Sequence, residues 1–218
     1  MTFDYAFARD NMVQKQLRPC NVKNLQVLAA FSTLKRELFV PAAAQQLAYA
    51  DLDIPLAAQQ VALRPALQAR ILQALELQST HSVLVVGTGS GLLTGYCALL
   101  AGTVISIEIH PELSHQAYQA LNAHGLTQHC QLTIANVFDW HPAMRFDAIC
   151  LSGAVSQLPN AMMEWLHPQG RMLCIHGDGP VKNACILHGD AHTPTITSLF
   201  ETDIPYLIGG EPQSRFQF

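Results

Sequence analysis

The feature that most constrains this chain is a glycine-rich turn that follows a short apolar run. The run from 82 to 86 is mostly β-branched, as expected of a strand that is buried on both faces. Gly87, Gly89 and Gly91 then alternate with small hydroxyl residues, and a helix is predicted over 90–101. Ligands of open α/β sheets bind where a strand ends and a helix begins, so this pattern predicts an α/β fold with a nucleotide-type site.

The spacing of the glycines narrows the kind of ligand. A dinucleotide fingerprint needs its third glycine where this chain has Leu92, and a P-loop needs a Lys that is absent. The pattern instead fits a ligand with an adenosine and no pyrophosphate, of which S-adenosyl-L-methionine (SAM) is the common case. Glu108 ends the next predicted strand about twenty residues later, where a carboxylate can accept both ribose hydroxyls. We therefore predict that exposed backbone amides at 87–91 and Glu108 form the site; the alternative is a tight turn without a ligand.

Strands and helices alternate from residue 82 onward, which predicts a mostly parallel sheet with helices on both faces. The predicted strands are 82–87, 103–108, 130–135, 146–152 and 170–176, followed by an antiparallel pair at 183–188 and 195–200. The predicted helices in this part are 90–101, 111–124 and 159–166. Residues 5–50 are predicted to be mainly helical, and a further helix is predicted from Pro65 to Leu75.

Composition excludes several classes of protein. The net charge is −4 and the basic residues do not cluster, so neither nucleic acid nor an anionic membrane is an expected partner. The six cysteines show no C-x-x-C spacing, which favours a reduced, cytoplasmic protein. No signal peptide or membrane span is evident in the sequence. His188 and His192 have the spacing most like that of a pair of metal ligands, but no ligand spacing repeats, so no metal site is predicted. The sequence carries no signal for an oligomeric state.

Several further blocks along the chain stand in an order known from one family. They are Met12-Val13-x-x-Gln16-Leu17-Arg18, Arg36-x-x-Phe39-Val40-Pro41, Ala48-Tyr49-x-Asp51, Glu108-x-x-Pro111-Glu112-Leu113, Phe146-Asp147-Ala148-Ile149 and Leu166-x-Pro168-x-Gly170-Arg171. With these blocks the chain resembles the protein-L-isoaspartate O-methyltransferases over nearly its whole length. The resemblance implies a seven-stranded, Rossmann-like SAM-dependent methyltransferase that methylates a carboxylate on a protein or peptide, isoaspartyl residues in damaged proteins being the family substrate.

The resemblance also implies a division of the chain and a set of site residues. Residues 1–78 would be an N-terminal helical extension with the substrate loop, and residues 79–218 the SAM-binding core, packed together as one structural domain. Ser152 would face the reaction centre. The implied cofactor-binding residues are Gly87, Thr88, Gly89, Ser90 and Gly91 for the methionine part, Glu108 for the ribose, and Ile109, Asn136 and Val137 beside the adenine.

The substrate loop departs from the family pattern. The family has Gln-Thr-x-Ser-Gln-Pro, whereas residues 60–65 here read Gln-Val-Ala-Leu-Arg-Pro, so Val61 and Leu63 replace both hydroxyl residues. Arg64 is the one strong carboxylate partner nearby, because a guanidinium can bind a carboxylate through two hydrogen bonds. Our hypothesis is that Arg64 orients an acidic group of the substrate; the alternative is that it is a solvated residue at the start of a helix.

Two other functions compete with an isoaspartyl methyltransferase. A SAM-binding member with another substrate, or without catalytic activity, is favoured by the altered loop and by a tail ending in Phe216-Gln217-Phe218, which resembles that of a divergent bacterial subgroup. A nicotinamide enzyme is disfavoured by Leu92.

Overall fold

The structure, a computed structural model, describes residues 3–213 and is organised around one seven-stranded sheet. The predicted tail signal at 216–218 lies outside the described residues. The strands are β1 Ile54–Pro55, β2 Val61–Ala62, β3 Ser82–Val86, β4 Thr103–Glu108, β5 Cys130–Ile134, β6 Phe146–Val155, β7 Leu166–His176, β8 Lys182–His188 and β9 Thr195–Thr202. The sheet has the order β5-β4-β3-β6-β7-β8-β9, while β1 and β2 form a separate two-stranded hairpin.

Strand β8 runs opposite to the other six strands of the sheet. The five strands from β5 to β7 run parallel to their neighbours, and β8 and β9 add to β7 as an antiparallel pair. The antiparallel pair predicted for the C-terminal region is therefore confirmed, with β8 and β9 slightly longer than expected. Because β4, β3 and β6 are parallel neighbours, their carboxyl ends meet at one edge of the sheet.

Four of the six α-helices among the described residues begin where the sequence supplies a side-chain cap or a proline. Asp4 and Asn24 accept hydrogen bonds from the first-turn amides of the first two helices, while Pro65 and Pro111 are the first residues of two others. The helices are α1 Tyr5–Met12, α2 Leu25–Thr33, α3 Pro65–Leu75, α4 Leu92–Leu100, α5 Pro111–Ala123 and α6 Asn160–Met163. Over the part of the chain that the structure describes, no helix is both long and apolar enough to cross a membrane.

The helix predicted over 159–166 is largely wrong. Helix α6 covers only four residues, and the chain enters β7 at Leu166, four residues before the predicted strand start. The amide of Phe146 donates to the carbonyl of Trp165 at 2.8 Å, and Leu166 pairs with Phe146 in the sheet. Pairing with β6 therefore outweighs the weak helical preference of this segment.

The two faces of the sheet are covered unequally. The helices α2, α3 and α4, with the C-terminal part of α5, build a large apolar cluster on one face. The other face is covered by a smaller cluster that includes α6 and the rings of Trp140 and Trp165, whose centroids lie 5.7 Å apart edge to face. This arrangement confirms the α/β class with helical cover on both faces.

Arg36 links separate stretches of the N-terminal region to one another. Its side chain is fully buried, and its guanidinium donates to Ala48 O at 2.7 Å, Gln68 Oε1 at 2.5 Å and Leu63 O at 3.3 Å. Leu63 directly follows the β1–β2 hairpin, so its hydrogen bond from Arg36 holds the end of the hairpin against the N-terminal helices. A buried arginine needs such a set of acceptors because its desolvation is otherwise costly.

Candidate cofactor and acceptor site

A cavity opens at the carboxyl ends of β3, β4 and β6, where the glycine turn follows β3. Its volume, including the part open to solvent, is about 660 Å³. The parallel order of the three strands brings together residues that are far apart in the sequence. Of the predicted site residues, those on its wall are Gly87, Gly89, Glu108, Ile109, Asn136, Val137 and Ser152.

The glycines of the turn are required by close packing as well as by backbone conformation. Gly87 and Gly91 have φ values of +85° and +86°, which side-chain-bearing residues rarely adopt. A Cβ on Gly91 would lie 2.9 Å from the Cβ of Ala117 on α5, and one on Gly87 would overlap the Ser152 hydroxyl. The turn is therefore pressed between α5 and β6, which holds its shape at the cavity wall.

The expectation of free backbone amides on the turn is wrong for four of the five, because the amide of Gly91 donates to Thr88 O at 2.8 Å and three others are also bonded. The amides of Gly87 and Thr88 donate to Ile107 O at 2.9 and 3.1 Å, and the amide of Gly89 donates to Glu108 Oε2 at 2.8 Å. The backbone hydrogen bonding between β3 and β4 thus continues into the turn through Gly87 and Thr88, and the Glu108 side chain accepts the amide of Gly89. The turn therefore shapes the cavity wall and lets a ligand come close to the backbone, while Glu108 supplies a charged group on the same wall.

Glu108 has the environment of a carboxylate that binds hydroxyl groups. Its residue is only 4% exposed, and Oε1 accepts the amide of His110 at 3.0 Å while Oε2 accepts that of Gly89. Each carboxylate oxygen keeps a further lone pair, so two more donors can bind from the cavity side. This acceptor capacity fits the predicted pair of ribose hydroxyls and thereby fits SAM.

The side predicted for the adenine is bordered by a polar turn and apolar walls. Asn136 Oδ1 accepts the amide of Phe138 at 3.1 Å, and its Nδ2 donates to Asp139 Oδ2 at 2.7 Å. These contacts fix the Asn136 carboxamide at the cavity edge, with one lone pair of Oδ1 left for a ligand amino group. Ile109 and Val137 supply apolar surface on the same wall.

Three predicted cofactor residues do not line the cavity. Thr88 is buried and its Oγ1 lies 2.7 Å from Ser106 Oγ, behind the turn. Ser90 Oγ accepts the amide of Leu92 at 3.4 Å at the start of α4, and Gly91 contacts α5. In this geometry the three residues support the turn from behind, and their direct contact with SAM stays a prediction.

The acceptor side of the cavity contains a segment that the sequence analysis missed. Gln60 and Val61 of the predicted substrate loop form one wall, and the missed segment, residues 205–208, forms another. Ser152 lies between the turn and these walls, and its Oγ donates to Gly87 O at 2.7 Å. The available signal was the apolar run at 204–208 directly after the last strand, but no periodicity links such a run to a site.

Arg64 does not lie on the cavity wall. Its Nη1 is 3.2 Å from Asp53 Oδ2, and its Nη2 is 3.1 Å from Asp203 Oδ1 and 2.9 Å from Thr202 Oγ1. Arg64 lies at the start of α3, as the alternative expects, but its side chain is 26% exposed and forms ion pairs. The hypothesis that Arg64 orients an acidic substrate group is not supported by this position, because two carboxylates of the protein already bind the guanidinium.

These features together define a class of protein. A parallel sheet with a glycine turn after one strand, a buried carboxylate ending the next, and a cavity between them is the arrangement of SAM-dependent methyltransferases. The sequence profile of the family Protein-L-isoaspartate(D-aspartate) O-methyltransferase (PCMT) matches residues 8–184. The chain therefore belongs to this family, and its cofactor is SAM.

Individual relatives agree with the family match. The chain is 33% identical over 171 residues to Protein-L-isoaspartate O-methyltransferase 1 of Syntrophobacter fumaroxidans, with 78% of this chain and 80% of the relative covered. It is 31% identical over 210 residues to the Protein-L-isoaspartate O-methyltransferase of Koribacter versatilis, with 96% and 95% covered. These matches extend over most of this chain and most of each relative.

Solved structures agree on the fold. A Plasmodium falciparum structure described as a beta-aspartate methyltransferase (PCMT), crystallised with S-adenosyl-L-homocysteine, superposes with a TM-score of 0.80 at 16% identity. The superposition covers 94% of this chain and 98% of that one. With this coverage, the similarity extends beyond the SAM-binding core to the N-terminal helices.

Proposed function

We propose that this protein uses SAM to methylate the carboxylate of isoaspartyl residues in proteins or peptides. The observation that carries the proposal is the position of the cavity, which joins the glycine turn and Glu108 to an open acceptor side built by the β2 hairpin. We further propose that the protein acts in the cytoplasm, where such substrates and reduced cysteines would be found.

The residues of this chain have a simple task in such a reaction. When bound, SAM supplies a methyl group on a positively charged sulfur, which a carboxylate oxygen can displace without a general base. Glu108 would hold the ribose, and the turn would hold the remainder of the cofactor against β3. Val61 and residues 205–208 would exclude water from the acceptor side, which strengthens electrostatic interactions there and favours alignment of the reacting atoms.

A second candidate is methylation of a different acceptor. Two observations favour it: Val61 stands on the cavity wall where the family has a hydroxyl residue, and the residues found to line the cavity include no Lys or Arg. A carboxylate placed there would rely on neutral donors. A neutral or apolar acceptor would suit such walls as well.

One assay separates the two candidates. A synthetic peptide with an isoaspartyl residue and the same peptide with a normal aspartyl residue are incubated with labelled SAM, and binding of SAM is measured by calorimetry. We expect methylation of the isoaspartyl peptide alone. SAM binding without methylation of either peptide would contradict the proposed substrate and favour the second candidate.

A further inference from the structure

Arg64 connects two walls of the acceptor side that are far apart in the sequence. Its backbone amide donates to Asp53 Oδ1 at 2.7 Å, and its guanidinium binds Asp53 Oδ2 at 3.2 Å, which closes the base of the β1–β2 hairpin. On its other side Nη2 binds Thr202 Oγ1 and Asp203 Oδ1 at 2.9 and 3.1 Å. We call these four residues, Arg64, Asp53, Thr202 and Asp203, the clasp.

The chain that leaves the clasp runs directly over the cavity. We call residues 203–210 the tail segment. Ala154 at the end of β6 donates its amide to Pro205 O at 2.8 Å and accepts the amide of Leu207 at 2.8 Å, so the segment lies beside β6 as a short parallel addition. A Cβ on Gly153 would lie 2.9 Å from Leu207 Cδ2, which shows how closely the segment is packed.

The charges of the clasp argue against direct binding of a substrate carboxylate. One guanidinium faces two carboxylates, so the group carries a net charge of about −1 at neutral pH. A third carboxylate brought to Arg64 would meet both Asp53 and Asp203 at short range, and this repulsion lowers its affinity. The same charges make Arg64 an effective link between the hairpin and the tail segment.

We infer that Arg64 is a positioning residue that holds the tail segment against the hairpin and thereby fixes the width of the acceptor side of the cavity. It acts through Asp203 and Thr202 and does not touch the substrate. The inference rests on the proposed function for its consequence in catalysis. Its structural content, the anchoring of the tail segment, does not depend on that function.

The anchoring is tested in the ligand-free protein by hydrogen exchange. The amide of Leu207 donates to Ala154 O, that of Ala154 to Pro205 O and that of Ser156 to Gly210 O, so these three amides report separation of the tail segment from β6. We expect roughly fivefold faster exchange at these amides in Arg64→Met and in Asp203→Asn, and a smaller change in Arg64→Lys, as suits a partly exposed ion-pair network. Arg171→Met is the matched control, because Arg171 forms an ion pair with Glu76 at 2.7 Å and does not line this cavity.

Unchanged exchange of the tail segment in both Arg64→Met and Asp203→Asn would overturn the inference. Asp203→Asn also guards against a folding defect, since the Asp203 side chain is 78% exposed and its loss leaves no buried group unpaired. Failure of wild-type protein to methylate an isoaspartyl peptide would contradict the proposed function, yet the exchange experiment would still decide whether the clasp exists.

Kinetics on an isoaspartyl peptide then distinguish positioning from direct binding. If Arg64 positions the tail segment, Arg64→Met and Asp203→Asn lower kcat/KM for the peptide by a similar factor, and the double variant is no worse than either. If Arg64 binds the substrate carboxylate, Arg64→Met lowers kcat/KM while Asp203→Asn leaves it unchanged or raises it. The second pattern would overturn the inference.

Discussion

At the scale of single residues, we predict that Glu108 sets much of the affinity for SAM. In Glu108→Gln the carboxylate loses one acceptor oxygen, and the new amide group must face either the cavity or one of the two backbone amides that now donate to Glu108. Hydrogen bonds to charged groups are worth about 1.5–3 kcal/mol each, so we expect an affinity loss of roughly 30-fold, or about 2 kcal/mol. Calorimetric titration with SAM measures it directly.

The control for this prediction lies four residues further along the chain. Glu112 is exposed in the first turn of α5 and does not line the cavity. Glu112→Gln should therefore bind SAM as wild type does. Equal affinity of Glu108→Gln and wild type would contradict the role of Glu108, provided that both unfold at similar temperatures without ligand.

The residues of the site differ in how far the sequence could predict them. Gly87, Gly89 and Glu108 could be assigned because a local motif and one strand–helix–strand spacing define them. Arg64 could not, because its partners Asp53 and Asp203 lie 11 and 139 residues away in the sequence. A charge pattern alone does not show which side chains meet, and the guanidinium that the hypothesis assigned to a substrate is bound within the protein.

At the scale of elements, Asp147 links the start of β6 to the start of β3. Its Oδ2 accepts Ser82 N at 2.8 Å and Ser82 Oγ at 2.9 Å. Partial burial alone would raise the pKa of Asp147, but the hydrogen bonds from Ser82 and the nearby His81 and His167 hold it below the ordinary value of 3.8. The ionised form is thus the one that the fold favours.

The sign of this pKa shift sets the pH dependence of stability. A carboxyl group with a lowered pKa in the folded state stabilises the fold above its unfolded pKa, and the contribution is lost as the pH falls through the folded value. We expect Asp147→Asn to lower the free energy of unfolding by about 1 kcal/mol at pH 7, and this difference to shrink below about pH 4. Urea unfolding across this range measures it, with the exposed Asp10→Asn as control. A difference that grows toward acid pH would refute the assignment.

Elements with strong local signals were predictable and elements that depend on pairing were not. Helix α3 begins at Pro65 and ends at Leu75 as predicted, because a proline fixes its first turn and good helix formers follow. Residues 164–166 belong to no helix, since the edge of β6 offers them hydrogen bonds that only the folded sheet presents. The tail segment is a similar case, because its parallel contact with Ala154 follows from the whole topology.

At the scale of the whole molecule, the division at residue 78 is a boundary in sequence more than in packing. The larger apolar cluster contains buried residues from both sides of this boundary, from Met12 to Ile204, and runs from the N-terminal helices across one face of the sheet. Arg36 adds polar contacts to Ala48, Leu63 and Gln68 within the same region. A shared core of this kind predicts that residues 3–78 and the remainder unfold together.

The two tryptophans of the chain make this cooperativity measurable. Trp140 and Trp165 both lie beyond residue 78, on the face of the sheet opposite the main cluster. Their fluorescence therefore reports unfolding of the sheet, while a substitution at Arg36 perturbs the N-terminal part. If both parts form one cooperative unit, a change at Arg36 must shift the fluorescence transition.

Arg36→Met removes the guanidinium and leaves three buried acceptors without their donor, for which we expect a loss of about 3 kcal/mol in the free energy of unfolding. Tryptophan fluorescence and far-ultraviolet circular dichroism should show the same lowered midpoint. Lys35→Met is the control, because Lys35 is the exposed neighbour and its loss should change stability by less than about 0.5 kcal/mol. If the fluorescence midpoint of Arg36→Met is unchanged while its circular dichroism midpoint is lowered, the N-terminal residues unfold on their own.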